Sequence, residues 1–154
     1  MADVKKGIIL KGIGGLYFVE TADAVFECKA RGIFRKSGQK PLVGDEVDIL
    51  IGEDGANNTI EKIYPRRSEL MRPPVANLDR LFILSSVRDP NPSTLIIDKM
   101  TAIACWKNIE PVIVITKDDL GDTSELRGIY EKAGIPFFSV SSRDGRGADE
   151  VKAM

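Results

Sequence analysis

The sequence predicts a small β-barrel of the OB type followed by a parallel α/β sheet. The first observation is that residues 1–65 contain about five short runs rich in β-branched and aromatic residues, punctuated by Gly, Asp and Asn. The second is that, from residue 79 onward, apolar runs alternate with helical patterns in the order βαβαβ, which predicts parallel strands with right-handed crossovers. We therefore expect domains at 1–65 and 79–154, with 66–78 as a linker.

The predicted barrel strands are "GIILKGIGG", "LYFVE", "AVFECKARG", "DEVDILI" and "NNTIEKIY". About five strands in 65 residues suits an OB-fold, although the pattern alone leaves an SH3-like barrel open. Apolar residues recur with a patchy period of two, as expected for strands with one face in a core and the other in water. These residues are Phe18, Val25, Val47, Ile49, Ile51 and Ile60.

The segment after the barrel contains Pro65, Pro73 and Pro74. Proline fixes φ and biases the residue before it toward extended backbone. This composition is typical of a connection between domains, which is why 66–78 is predicted to be a linker.

The α/β domain begins with "RLFILSSV", an apolar run typical of a strand buried on both faces. Ser93 is expected to cap a helix that continues to Trp106. "PVIVIT" is the second strand, a helix covers Asp122 to Ala133, Gly134 ends it, and "IPFFSVSS" is the third strand. The apolar residues expected on one face of the first helix are Leu95, Ile96, Met100, Ile103 and Ala104.

Thr116-Lys117-Asp118-Asp119-Leu120 follows the second parallel strand, where ligands bind in open α/β sheets. Guanine presents two adjacent donors, N1–H and the exocyclic amine, and the Asp119 carboxylate can accept both. The apolar stem of Lys117 can lie along the base plane. After the third strand, Ser141 and Ser142 supply a turn and a backbone N–H for guanine O6. The alternative is that these carboxylates only cap the next helix.

A basic segment, 29–40, ends the third barrel strand and continues past it. It contains no acidic residue, and Phe34 lies among its charges. OB-folds hold single-stranded nucleic acid with phosphate contacts and aromatic stacking, so this segment is a candidate RNA surface. The alternative is a solvated hairpin with Phe34 in the core. Its basic residues are Lys29, Arg31, Arg35, Lys36 and Lys40.

Composition excludes several classes of function. The net charge of −1 gives no overall attraction to nucleic acid or anionic lipid. With 0 histidines, the chain has neither a histidine metal ligand nor a histidine general base. No apolar run approaches the roughly 20 residues of a membrane span, and "MADVKKGIIL" lacks the apolar core of a secretory signal. We expect a cytoplasmic protein without a metal site in this part.

Taken together, these motifs resemble the ribosome small subunit-dependent GTPases of the RsgA (YjeQ) family, whose GTPase domain is circularly permuted. Each motif alone is weak, but their combination along nearly all 154 residues is specific. The residues that carry the resemblance are "RGIFRK" (31–36), "PLVGDEV" (41–47), "RPPVANLD" (72–79), "DPN" (89–91), "TKDDL" (116–120) and "VSS" (140–142).

The resemblance implies a partial P-loop GTPase-type sheet in which the base-recognition motifs precede the phosphate loop. No G-x-x-x-x-G-K-[ST] occurs, and the glycine-rich "KGIGG" (11–15) is predicted to be a strand connection. We expect residues 1–154 to be the amino-terminal part of a longer GTPase, without catalytic residues and inactive alone. Thr116 stands where many relatives have Asn, a departure that bears on nucleotide affinity rather than on base identity.

For the full-length protein, the resemblance implies GTP or GDP with Mg²⁺, and zinc only in a carboxyl-terminal region beyond this chain. Its expected partners are the small ribosomal subunit and its rRNA, contacted late in assembly, and the protein is expected to be a monomer. The alternative from another class is a non-catalytic RNA-binding OB module whose α/β domain serves as a scaffold.

Overall fold

A computed structural model describes residues 3–36, 38–53 and 57–154, and the chain divides into two compact units, Met1–Leu78 and Asp79–Met154. The first unit contains a closed five-stranded barrel, and the second contains a three-stranded parallel sheet with helices. The predicted fold class is confirmed. No helix in the described residues has the length and hydropathy that a membrane span requires.

The barrel is closed in the strand order β1-β2-β3-β5-β4. Strands β3 and β5 pair in parallel, and the other neighbours pair antiparallel. Inward-facing residues alternate along β2 and β4, so that Val19, Val47 and Ile49 are fully buried. Its elements are β1 (Asp3–Ile13), β2 (Leu16–Thr21), β3 (Val25–Ala30), α1 (Gly32–Lys36), β4 (Glu46–Ile51) and β5 (Asn58–Ile63).

The segment predicted as a linker is instead folded with the barrel. It forms a hairpin of β6 (Glu69–Met71) and β7 (Pro74–Ala76). Arg66 reaches back along the chain to the fully buried Asp45, with Nε–Oδ1 and Nη2–Oδ2 distances of 2.7 and 2.8 Å. Gly44 has φ of +87°, and a Cβ there would collide with the Ala76 carbonyl, so the close approach of β7 requires glycine.

The second unit contains a parallel sheet of order β10-β9-β8. One face of this sheet packs against two helices, and Tyr130 of one helix donates a hydrogen bond of 2.8 Å to Asp98 of the other. The core contains Ile83, Ile97, Ile113, Ile115, Tyr130 and Phe137. The elements are β8 (Arg80–Ser86), α2 (Thr94–Trp106), β9 (Glu110–Thr116), α3 (Ser124–Lys132), β10 (Phe137–Ser139) and α4 (Ala148–Lys152).

Two burial predictions for this unit are wrong. Strand β8 is not buried on both faces, because Leu84 is 65% exposed on the side away from the helices. Helix α2 buries Ile97, Thr101 and Ala104, whereas four of the five residues predicted for one face are exposed. The helix is apolar on more than one side, and the sequence does not indicate which side the sheet covers. The exposed residues are Leu95, Ile96, Met100 and Ile103.

Candidate nucleotide site

The candidate site lies at the carboxyl edge of the parallel sheet, where β9 and β10 both end. After β9 the chain makes a 3-10 turn at Asp118–Leu120, and after β10 it turns at Ser141. The Asp118 N–H donates to the Val140 carbonyl at 3.1 Å, which joins the two loops. The prediction that both motifs follow adjacent parallel strands therefore agrees with the geometry.

The Asp119 carboxylate is held in place by Ser141. The Ser141 hydroxyl donates to Asp119 Oδ1 at 2.9 Å, and Ser141 is only 1% exposed. The Ser141 N–H is engaged with the Arg146 carbonyl at 3.0 Å. Within the described part of the chain, the Ser142 N–H has no acceptor. The two serines therefore differ, since one orients the carboxylate and the other offers a backbone donor.

Lys117 and Thr116 contact the neighbouring strand β8 and the loop after it. The Lys117 ammonium donates to the carbonyls of Arg88, at 3.2 Å, and Asp89. The Thr116 hydroxyl donates to the Ser85 carbonyl at 3.1 Å. Both contacts fix the start of the motif to the end of β8 and the loop after it, and the Asp119 carboxylate takes no part in them.

Arg146 is a site residue that sequence reasoning missed. It donates to Asp118 Oδ2 at 3.1 Å and to Asp144 Oδ2 at 2.9 Å. The nearby carboxylates, Asp144 above all, raise the pKa of Arg146. Gly147, with φ of +73°, lies so close to the Ser139 carbonyl that a Cβ would collide with it. The loop sequence has no periodicity that would have predicted this ion pair.

The predicted RNA residues of the barrel fall into different environments. Phe34 is 8% exposed and packs in the barrel core, as the alternative expected for its ring, so the ring does not stand on the open surface where stacking was predicted. The segment also forms α1 where a hairpin had been the alternative. Arg31 pairs with Glu61, while Lys29 and Lys40 are exposed. The side chains of Arg35 and Lys36 lie outside the described residues.

No group of three or more Cys, Asp and Glu side chains in the described residues is arranged to hold a metal ion. The carboxylates of the candidate site are instead paired with hydrogen-bond donors, as Asp119 is with Ser141 and Asp118 with Arg146. This arrangement suits recognition of neutral N–H donors, such as those on the edge of a nucleobase.

Comparison with known proteins decides the family. The description "RsgA N-terminal domain" matches residues 6–57, and "RsgA GTPase" matches residues 63–154. The chain belongs to the RsgA family. A curated RsgA relative, the "Small ribosomal subunit biogenesis GTPase RsgA" of Alkaliphilus metalliredigens, is 42% identical over 155 residues, covering 98% of this chain and 53% of the relative.

Solved RsgA-type structures agree with the fold described above. YjeQ from Thermotoga maritima superposes with a TM-score of 0.83 at 32% identity, covering 98% of this chain and 56% of that one. YloQ, described as a circularly permuted GTPase, gives a TM-score of 0.79 at 31% identity, with coverages of 92% and 53%. This chain therefore spans about half the length of the RsgA relatives that it matches.

Proposed function

We propose that this chain is the amino-terminal part of a GTP-binding and GTP-hydrolysing factor that acts in biogenesis of the small ribosomal subunit. The relatives that it matches over both units carry that printed name. The observation that carries the nucleotide part of the proposal is the Asp119 carboxylate, oriented by the buried Ser141 beside the Ser142 N–H.

The proposed site distinguishes guanine from adenine by its pattern of donors and acceptors. Asp119 accepts hydrogen bonds from guanine N1–H and the exocyclic amine, and the Ser142 N–H donates to O6. Adenine lacks the pair of donors and has an amine where guanine has O6. Asp119 and Ser142 are exposed, so the bound base itself would cover them. An adenine base would then leave the Asp119 carboxylate and the Ser142 N–H covered and without partners, which is a basis for rejection.

Phosphate binding and hydrolysis are assigned to the part of the protein that this chain does not contain. The sequence of residues 1–154 has no G-x-x-x-x-G-K-[ST]. GTP hydrolysis depends on positioning the phosphates, Mg²⁺ and an attacking water. The resemblance assigns zinc to a carboxyl-terminal region. The proposed role of this chain in the GTPase reaction is recognition of the base by Asp119, Ser142 and Lys117.

The barrel unit is proposed to contact rRNA of the small subunit in a cytoplasmic, monomeric protein. The support is the basic segment 29–40, which has five basic residues and no acidic one. Each lysine or arginine that neutralises a phosphate releases counterions, and binding becomes sensitive to salt.

The activity is tested by measuring GTP hydrolysis by the complete protein with and without purified small ribosomal subunits. We expect hydrolysis that the subunits increase, while ATP remains a poor substrate. If the complete protein binds RNA but hydrolyses no GTP, the non-catalytic RNA-binding module is the correct description.

The RNA part is tested by replacing Arg31, Arg35 and Lys36 together with Ala. The variant should bind the small subunit more weakly, and its logarithmic salt slope should fall by about 0.7 to 0.9 for each phosphate that is no longer neutralised. GTP binding should be unchanged, because the substitutions lie in the other unit. An unchanged salt slope would show that these charges are only solvated surface.

A further inference from the structure

Arg146 connects the two loops of the candidate nucleotide site. Its backbone carbonyl accepts the Ser141 N–H at 3.0 Å, which closes the loop after β10. Its guanidinium donates from Nη1 to Asp118 Oδ2 at 3.1 Å, in the 3-10 turn after β9. One residue is therefore bound to both loops, once through its backbone and once through its side chain.

The side-chain contact gives two neighbouring carboxylates different surroundings. Asp118 Oδ2 accepts from Arg146, and Asp118 Oδ1 lies 3.4 Å from the hydroxyl of the buried Thr123. The Asp118 side chain is only 16% exposed. Asp119 is exposed, and its Oδ1 accepts the Ser141 hydroxyl. Adjacent carboxylates repel each other, and a cation paired with one of them weakens that repulsion. Asp118 is thus engaged within the protein, while Asp119 is the carboxylate that a ligand can reach.

The Arg146 guanidinium is itself held between two carboxylates. Its Nη2 donates to Asp144 Oδ2 at 2.9 Å, and Asp144 Oδ1 accepts the Arg146 N–H at 3.1 Å. Exposed ion pairs are usually weak, partly because ordering a long side chain costs entropy. The planar fork of arginine loses less entropy for each hydrogen bond that it forms, and here one ordered guanidinium serves two carboxylates.

We propose that Arg146 is a positioning residue for guanine recognition, which holds the turn that carries Asp119 against the loop that carries Ser142. The inference rests on the proposed nucleotide-binding function, and Arg146 acts through Asp118 rather than by touching the base. Without the guanidinium, the loops keep the bond from the Asp118 N–H to the Val140 carbonyl. The site is then loosened rather than unfolded, and the hydrogen bonds that Asp119 makes to the base are weakened.

The test measures the Kd of the complete protein for GTP and for ITP, whose base has N1–H and O6 but no exocyclic amine. The ratio of the two Kd values therefore reports the bond from that amine to Asp119. Arg146→Ala should lower the preference for GTP by about three- to tenfold. Since the ion pair is exposed, the Tm should change little.

Arg80→Ala is the matched control. Arg80 forms an exposed ion pair with Glu110 at 2.6 Å, at the amino ends of β8 and β9 and thus at the opposite edge of the sheet from the site. This variant should keep the full preference for GTP over ITP. An equal loss in both variants would show that any exposed ion pair of this unit has the same effect, which would overturn a specific role for Arg146.

Asp118→Ala and the double variant with Arg146→Ala identify the route of the effect. If Arg146 acts through Asp118, the double variant should prefer GTP as weakly as either single variant does. Additive losses, or an unchanged preference in Arg146→Ala, would overturn the positioning role and leave base reading by Asp119 intact. If the wild-type protein binds GTP and ITP equally well, base reading by Asp119 is wrong, and the role of Arg146 fails with it.

Discussion

At the scale of the residue, the proposed choice of base rests on the Asp119 carboxylate. Asp119→Asn in the complete protein should lower GTP affinity by about 10- to 100-fold, since bonds to a charged acceptor contribute about 1.5–3 kcal/mol. Preference should shift toward xanthine nucleotides, because xanthine has an acceptor where guanine has its amine. Competition binding with GTP and XTP measures both effects.

The control for this substitution is Asp122→Asn. Asp122 lies close in sequence but accepts hydrogen bonds from the Ser124 N–H and hydroxyl at the start of α3. That variant should keep the preference for GTP. Full GTP affinity in Asp119→Asn would show that another group reads the base.

Tyr130 gives a second residue-scale prediction, which concerns pH. Burial, followed by the hydrogen bond to Asp98, raises the pKa of Tyr130 to about 12. The stability contributed by the neutral hydroxyl is therefore fully present below the unfolded pKa of about 10 and is lost as pH rises toward 12. Tyr130→Phe should cost about 1 kcal/mol at pH 8. In urea unfolding, the difference from wild type should disappear by about pH 12, and a constant difference would contradict the assignment.

The sequence predicted which backbone positions of the candidate site come together, but not which way the side chains point. Asp119 and Ser141 follow adjacent parallel strands, and strand order alone brings such positions together. The direction of a side chain is not encoded in that way. Phe34 lies among basic residues in the sequence, but its ring packs in the barrel core. Arg146 acts through an ion pair with Asp118, 28 positions away, that no local pattern indicates.

At the scale of the element, the ion pair between Arg66 and Asp45 fixes the β6–β7 hairpin to the barrel. Asp45 also accepts a bond of 2.7 Å from the Leu42 N–H, and it raises the pKa of Arg66. Removing one partner of a buried pair costs about 3–5 kcal/mol. We expect destabilisation of this size for Asp45→Asn, measured as reduced hydrogen-exchange protection of the β4 amides.

Glu69→Gln provides the matched control. Glu69 pairs with the same Arg66 at 2.9 Å, but on the exposed side. Exposed ion pairs contribute about 0–1 kcal/mol, so this variant should keep the protection of β4. Equal effects of the two substitutions would show that the buried pair does not anchor the hairpin.

The hairpin also shows why the linker prediction failed while the strands were predicted well. Alternation of apolar residues is a local signal, and it located the barrel strands. The prolines at 73 and 74 equally suit an extended linker and a tight hairpin. The deciding interaction is that of Arg66 with Asp45, 21 positions apart, so only the folded chain reveals it.

At the scale of the whole molecule, the α/β unit has two apolar surfaces without cover in the described residues. Strand β8 lies at the edge of the sheet and, within the described residues, pairs only with β9. Asp98 marks the flank of α2 that faces α3, and helical geometry puts Ile96, Met100 and Ile103 on the opposite flank. Since α3 lies toward β10, this exposed flank lies toward the open edge of β8.

The last prediction concerns residues 1–154 expressed alone. An open apolar edge is a template for pairing between chains, and a large apolar patch promotes association. We expect no GTP hydrolysis, at most weak GTP binding, a folded barrel, and an α/β unit that is soft or self-associating. Sedimentation should detect the association, and Ile103→Lys should reduce it more than Val25→Lys, which alters an equally exposed apolar residue of the barrel. A monomer with strong hydrogen-exchange protection throughout 81–87 and measurable GTP hydrolysis would refute the assignment of this chain as half of a GTPase domain.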